Sequence, residues 1–395
     1  MNFRLYFKTE LITMNIGIVC YPTYGGSGVI ATELGMALAE EGHMVHFITS
    51  HQPVKLNFLN KNLHFHEVFV ENYPLFHYQP YNLALSSKLV ESVQKYDIDV
   101  LHVHYAIPHA YAAYMAKQML KEKGINIPIV TTLHGTDITL VGSHPVYKPA
   151  VEFSINNSDV VTTVSESLKR DTLRLFDIKK NIEVIYNFID FEKQPNWTKE
   201  ECVRHTLANS DERILTHVSN LRPVKRVLDV IRIFEKVQRE IPSKLILVGE
   251  GPDKEKADLL AKELGVKDKI LFLGKSDEIR KILCFTDLFL LPSETESFGL
   301  AALEAMAGKT PVISSNTGGL PEVNIQGVTG YMSNVGDTDD MARNAIHILK
   351  DDKTLNEFKE NAFKSAHRFS IEKILPKYEE MYNRVIEKGI KEGVN

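Results

Sequence analysis

The chain has 395 residues, of which 44% are hydrophobic and 25% charged, and its net charge is −5. That length is large for one hydrophobic core and predicts two domains, while the weakly acidic balance excludes a broad nucleic-acid or membrane-binding face. Three widely spaced cysteines, Cys20, Cys202 and Cys284, form neither a disulfide framework nor a zinc site, which fits a reducing, cytoplasmic setting.

Residues 1–13, MNFRLYFKTELIT, mix charged and apolar side chains and lack a small-residue cleavage site, so they read as an extension and not a signal peptide. No apolar run approaches the roughly 20 residues that a membrane span needs. Asn15–Tyr21 reads as a buried strand, followed by the glycine-rich turn Gly25-Gly26-Ser27-Gly28 and a helix from about Val29 to Glu41, stopped at Gly42. Val45–Thr49, Val100–His104, Ile129–Leu133 and Val160–Val164 are further strands, with helical segments between them. The pattern restarts with strands at Ile214–Val218, Lys244–Val248, Ile270–Leu273, Leu288–Leu291 and Pro311–Ser314. Alternation of this kind predicts parallel, doubly wound α/β sheets. The polar stretch from about Asp190 to Asp211, with Pro195 and Trp197, reads as the linker. We therefore expect two Rossmann-like domains, over 1–190 and 191–373, whose ligands sit beyond the carboxyl ends of the strands, in a cleft between facing sheets.

The most informative stretch is Ser293–Met306, where Glu296 and Glu304 lie seven residues apart across a loop-to-helix junction. Gly299 permits a ligand to approach the backbone, and free amides of the first helical turn can hold phosphate. A carboxylate can accept hydrogen bonds from neighbouring ribose hydroxyls. Taken alone, the same residues also suit an acidic loop and a solvated helical glutamate. Upstream lies Leu247-Val248-Gly249-Glu250-Gly251-Pro252, and downstream Gly318-Gly319-Leu320-Pro321-Glu322.

With these pieces, essentially the whole chain resembles the large family of retaining GT-B glycosyltransferases that includes glycogen-synthase-like and lipid mannosyltransferase enzymes, with its signature E-x-F-G-x-x-x-x-E. The resemblance implies the GT-B fold, a nucleotide-sugar donor and no metal or other cofactor. It implies that Glu304 holds the donor ribose, that Glu296 holds the donor sugar hydroxyls, and that the amides around Ser297, Phe298, Gly299 and Leu300 hold the diphosphate or sugar. His134 matches the family's histidine near the donor sugar. It further implies that the last helical stretch, 374–395, crosses back onto the first domain. Lys309 stands where the family usually has Gly.

In Asn220-Leu221-Arg222-Pro223-Val224-Lys225-Arg226, cations follow a strand of the second domain. A leaving nucleoside diphosphate gains negative charge, so nearby cations lower the barrier. Lys225 is the expected diphosphate ligand and Arg222 its companion, with a solvated basic turn as the alternative for Arg222 and more so for Arg226. The family usually has Arg five residues before the lysine, where this chain has Asn220. Gly25–Gly28 alone suits many Rossmann-like folds, but the second strand ends Ile48-Thr49-Ser50-His51 without the acid that would grip an NAD ribose, so NAD is disfavoured. Asp97-Ile98-Asp99 resembles a metal-binding DxD, yet it precedes its strand and reads as a turn. His102 reads as packed core.

Four first-domain segments narrow the resemblance: Cys20–Gly35, His102–Ala110, Thr131–Gly142 and Tyr186–Asp190. They resemble the subfamily that joins GlcNAc from UDP-GlcNAc to the hydroxyl of L-malate, opening bacillithiol biosynthesis. Malate is a small dianion and needs several directed donors. Gly26, Ser27 and Gly28 can offer helix N-terminal amides and dipole, and Tyr105 and Thr132 can add hydroxyls from strand ends. No Lys or Arg lies inside the four segments. Other retaining transferases with lipid or sugar acceptors, a UDP-GlcNAc 2-epimerase, and a non-catalytic nucleotide-sugar binder stay open, as does homo-oligomerisation. The resemblance implies a front-face reaction in which Glu296, His134 and Lys225 orient and stabilise and do not attack.

Overall fold

The computed structural model describes residues 13–57, 59–71, 79–193, 204–276 and 278–393. Residues 1–12 of the extension, Cys202, and the linker's Pro195 and Trp197 lie outside the described residues. The chain divides into two compact units. The first takes the described residues up to Thr163, then Lys169–Ile185, then those from Leu375 on; the second takes Val164–Leu168 and Tyr186–Ile374.

The first unit carries seven strands: β1 (Asn15–Val19), β2 (Met44–Thr49), β3 (Leu63–Glu67), β4 (Val100–His104), β5 (Ile129–Leu133), β6 (Val160–Thr163) and β7 (Ile182–Val184). They form one sheet in the order β3-β2-β1-β4-β5-β6-β7. Every pairing is parallel. Helices cover both faces of such sheets, which is why β4 and β5 are buried along their whole length. The helix Gly26–Glu40 begins inside the glycine-rich turn, three residues before the expected Val29. Leu85, Leu89 and Val93 of the helix Tyr81–Tyr96 pack with Leu101, Val103 and Ala116 in the core. β3 and β7 were not expected. β3 reads LHFHE, with two histidines in an edge strand that is mostly half-exposed, and β7 is three residues long.

The C-terminal helix Ile371–Gly393 contributes its residues from Leu375 on to the first unit. Tyr378, Met381, Tyr382 and Val385 are buried. The Tyr382 hydroxyl meets His102 Nδ1 at 2.7 Å, and Glu379 meets His43 Nε2 at 3.1 Å. His102, with no exposed surface, is a packed core residue of β4.

The second unit carries β8 (Arg213–Val218), β9 (Ser243–Val248), β10 (Ile270–Gly274), β11 (Leu288–Leu291), β12 (Val312–Ser315) and β13 (Gly330–Ser333), again all parallel, in the order β10-β9-β8-β11-β12-β13. The helix Val227–Glu240 places Val227, Val230, Ile231, Phe234 and Val237 against Leu215, Leu245 and Leu247 of the sheet core, the spacing of a one-sided apolar stripe. In each sheet the strand order reverses beside the first strand, between β1 and β4 and between β8 and β11. Ligands of open α/β sheets bind beyond the carboxyl ends at that reversal.

Candidate active site

In the first unit, the loop after β1 runs into the helix Gly26–Glu40, whose N-cap is Gly25 with no side-chain capping bond. A Cβ on Gly28 would lie 2.5 Å from the carbonyl oxygens of both Tyr21 and Thr23. Only glycine lets that loop close onto the first helical turn. Gly26 is exposed beside it. Ser27 Oγ and the Tyr105 hydroxyl share a hydrogen bond of 2.6 Å, joining the turn to the end of β4. Tyr105 is held at φ 84°, ψ 135°, a conformation costing a non-glycine residue on the order of 1–3 kcal/mol unless its surroundings enforce it.

His134 follows β5, 5.1 Å from the Tyr105 ring, and its Nε2 shares a 2.8 Å hydrogen bond with His104 Nδ1. His109 Nδ1 donates to the His104 carbonyl at 2.6 Å. Burial pushes the imidazoles of His134 and His109 down to about 3 and about 4, so the cluster is neutral. His134 keeps 9% of its surface exposed, whereas His102, His104 and His109 keep none. Asp137, just beyond His134 in the same loop, is buried and accepts from the amides of Ala106 (2.9 Å), Gly135 (3.0 Å) and His134 (3.2 Å). Burial raises its carboxyl to about 6 against those amides.

Thr132 does not join this group. It has no exposed surface, and its hydroxyl is engaged by His102 Nε2 and Thr162 Oγ1, each at 2.7 Å. The expected acceptor contact is corrected to a prop for His102, because alternate residues of a doubly covered strand point into the layers and away from its end.

In the second unit, Lys225 and Glu296 come from the loops after β8 and β11. Lys225 Nζ donates to Glu296 Oε1, which also accepts from Ser293 Oγ at 3.0 Å. The Glu294 amide donates to the Val224 carbonyl at 2.8 Å and ties the two loops together. His217, near the end of β8, donates from Nδ1 to the Leu290 carbonyl at 2.8 Å, and its Nε2 accepts from Ser219 Oγ at 2.7 Å. Burial pushes this imidazole down to about 4. Arg222 and Asn220 are exposed at the same turn. The Arg222 guanidinium makes no hydrogen bond or ion pair among the described residues, whereas Arg226 is paired with Asp229 at 2.6 Å. A Cβ on Gly249 would lie 1.7 Å from the Ser219 carbonyl and one on Gly251 1.9 Å from that of Asn220, so the Gly249-Glu250-Gly251 loop presses directly on this turn.

Glu296 to Leu300 forms the junction into the helix Leu300–Ala307, with Gly299 at φ 95° as N-cap. The Gly319 amide donates to the Glu296 carbonyl at 2.9 Å, and a Cβ on Gly318 would lie 1.9 Å from that oxygen. The Ser297 carbonyl accepts from Ser165 Oγ at 2.5 Å. The Phe298 ring is core, packed against Phe369 at 5.5 Å, so only its backbone is left for a ligand. Glu304 is half-buried on the helix. Sequence reading had not assigned Asp137, Ser293 or His217. Only Asp137 carried a signal, its place in His134-Gly135-Thr136-Asp137.

Asp97 and Asp99 sit at the opposite, amino end of β4: Asp99 Oδ2 accepts from the Asn15 amide at 2.7 Å, and the Asp97 carbonyl from Asn15 Nδ2 at 3.1 Å. They form a structural turn. Among the described residues, no group of three or more His, Cys, Asp or Glu side chains is arranged to hold a metal ion, and no helix is long and apolar enough to cross a membrane.

Two doubly wound parallel sheets, with a Lys–Glu pair at the reversal of the second, are the architecture and site of a GT-B glycosyltransferase, and the chain belongs to that family. Residues 24–193 match Glycosyltransferase Family 4, and residues 198–365 match Glycosyl transferases group 1. The chain is 49% identical over 378 residues to the N-acetyl-alpha-D-glucosaminyl L-malate synthase of Bacillus anthracis, covering 94% of this chain and 97% of that protein. Its fold is similar to that of Anabaena HepE in complex with UDP and glucose (TM-score 0.80, 17% identity, 94% of this chain and 100% of the other). It is also similar to a sucrose-phosphate synthase from Thermosynechococcus elongatus (TM-score 0.77, 20% identity, 95% and 100%).

Proposed function

We propose that this protein transfers GlcNAc from UDP-GlcNAc to the hydroxyl of L-malate with retention at the anomeric carbon, as the first step of bacillithiol biosynthesis in the cytoplasm. The observation that carries this reading is the 49% identity to the malate synthase, which extends over 94% of the chain and so includes the first-unit segments around Ser27, Tyr105 and His134.

The residues divide by unit. In the second, Lys225 and Arg222 neutralise the diphosphate as the bond to the anomeric carbon breaks and the electron pair leaves with UDP. Asn220 lies at the same turn. Glu304 takes the ribose hydroxyls, Glu296 the sugar hydroxyls, and the backbone from Ser297 to Leu300 the phosphates. In the first, Gly26, Ser27 and Gly28 present helix N-terminal amides to a carboxylate of malate, and Tyr105 adds its hydroxyl. Neutral His134 hydrogen-bonds the donor sugar. The malate hydroxyl oxygen forms the new bond on the face that UDP leaves, and its proton passes to a phosphate oxygen of the departing UDP. The chemistry calls for no metal and no other cofactor.

The test is incubation with UDP-GlcNAc and L-malate in EDTA, following UDP release and product mass. UDP formed only with malate, together with a GlcNAc–malate mass, supports donor, acceptor and metal independence at once. UDP binding without turnover sends the search to other acceptors, and epimerised UDP-sugar without malate replaces the reading with an isomerase.

A further inference from the structure

Asp137 stands apart from the other buried acids because nothing positively charged faces it among the described residues. Its carboxylate is 2% exposed, and its partners are three backbone amides drawn from the ends of two neighbouring strands. Ala106 follows β4, and His134 and Gly135 follow β5. The residue before Ala106 is Tyr105, whose backbone lies in the left-handed half of φ space. The bond from the Ala106 amide to Asp137 therefore fixes the peptide immediately after the strained residue. The same carboxylate fixes the peptide of His134 and the one after it. The anchor is itself clamped, since a Cβ on Gly142 would lie 1.7 Å from the Asp137 carbonyl oxygen.

We infer that Asp137 is a positioning residue for the reaction, one carboxylate setting both the Tyr105 hydroxyl that meets Ser27 on the acceptor side and the ring of His134 assigned to the donor sugar. The inference rests on the transferase reading above. Each oxygen does a different job: Oδ2 holds the β4 end, and Oδ1 holds the β5 end. An amide in place of the carboxylate keeps the shape but turns an N–H toward one of these peptide N–H groups, releasing one strand end while keeping the other.

The experiment compares wild type, Asp137→Asn, Tyr105→Phe and the double variant, with kcat and malate KM measured well below each variant's melting temperature and UDP affinity measured by calorimetry. Asp137→Asn is expected to lower kcat/KM for malate by about tenfold or more while leaving UDP affinity within about twofold, because the hydrogen bonds it breaks belong to the acceptor unit. The Tyr105→Phe loss should shrink to less than about twofold in the Asp137→Asn background, the non-additivity of residues acting through one contact. A simple loss of stability moves neither ratio. Hydrogen exchange of the peptide spanning Ala106 should quicken in the variant, a readout independent of turnover. If Asp137→Asn does not fold, Asp137→Ser, which keeps an acceptor but is too short to span both strand ends, takes its place. Malate kinetics within about twofold of wild type, or fully additive losses, overturn the inference. A wild type that makes no product from malate removes the functional reading instead, and unchanged exchange at Ala106 then overturns the anchoring on its own.

Discussion

Lys225 donates a hydrogen bond to Glu296 across the reversal point of the second sheet, so the cation assigned to the diphosphate and the carboxylate assigned to the sugar begin as partners. They are 71 residues apart in sequence. Adjacency of β8 and β11, and the bond from the Glu294 amide to the Val224 carbonyl, bring them together. With these assignments, phosphate competes with Glu296 for Lys225, and a charge-assisted bond is exchanged for another and not formed from water.

Removing the carboxylate should separate binding from chemistry. Glu296→Gln is expected to lower kcat by about a hundredfold, the scale of losing one oriented polar contact in a transition state, while UDP affinity holds or rises as Lys225 is freed. Steady-state UDP release and calorimetric titration with UDP measure the two. Turnover near wild type removes Glu296 from the sugar site.

Removing the cation should do the reverse to binding. Lys225→Ala is expected to weaken UDP by about tenfold or more, roughly 1.4 kcal/mol, with Ser293 left to partner Glu296. Titration with UDP reads this directly, and unchanged affinity takes Lys225 out of the diphosphate site.

On the acceptor side, Tyr105→Phe deletes the hydroxyl that meets Ser27. Malate KM should rise by about five- to tenfold, the value of one hydrogen bond near a charged ligand, with UDP affinity unchanged. Malate titrations at saturating UDP-GlcNAc check it. An equal loss with every hydroxy acid tried would assign Tyr105 to the donor sugar instead.

Acid should unfold the protein steeply. His102 and His134 are pushed down to about 3, and His109 and His217 to about 4, all by burial. The unfolded chain takes up these protons near pH 6.5, the folded one not until pH 3–4, so stability present above pH 6.5 falls as pH drops below it. Each histidine contributes stability that is lost progressively across that window. Asp137, raised to about 6, has the opposite sign: its contribution is full below pH 4 and is lost as pH rises toward 6. His46 and His66, also pushed down to about 4 mainly by burial, and buried His104 act in the same direction as these four, so against the single Asp137 the melting temperature should fall steeply between pH 6.5 and 4.5. Thermal melts over that range would show a flat profile if these rings were protonated in the folded state.

Lys309 sits at φ 58° just past the helix Leu300–Ala307, with an exposed ion pair to Glu360 at 2.8 Å. A left-handed non-glycine residue costs about 1–2 kcal/mol, and an exposed pair returns less than about 1 kcal/mol. Lys309 Nζ also lies 5.1 Å over the Phe363 ring, so the strain relieved by Lys309→Gly is largely offset by the lost contacts and the entropy cost of glycine, and the variant's melting temperature should stay within about two degrees of wild type. Its turnover should not change.

Much of this was legible in the sequence, and each miss has its own physical cause. Strand–helix alternation declares parallel sheets because a doubly covered strand is apolar throughout, as LFLL of β11 is. The glycine turn and the pair Glu296 and Glu304 were visible because backbone approach and local spacing are written along the chain. β3 was missed because His64 and His66, at its alternate positions, interrupt the continuous apolar run by which the buried strands are recognised. Thr132 was placed on the wrong side because position near a strand end does not say which layer a side chain enters. Asp137 escaped assignment because its partners are backbone amides, which no residue type announces.

The bond from Tyr382 to His102 has a consequence for how the protein is made. β4 is translated early, yet its buried histidine waits for a hydroxyl near the end of the chain, 280 residues later. The helix that covers His102 is thus among the last parts of the chain to be made, after all the residues of the second unit. A gene fragment ending at Ile185 encodes every strand of the first sheet but not the helix that closes it, whereas a permuted gene placing residues 375–393 ahead of β1 would restore the order of synthesis to the order of assembly.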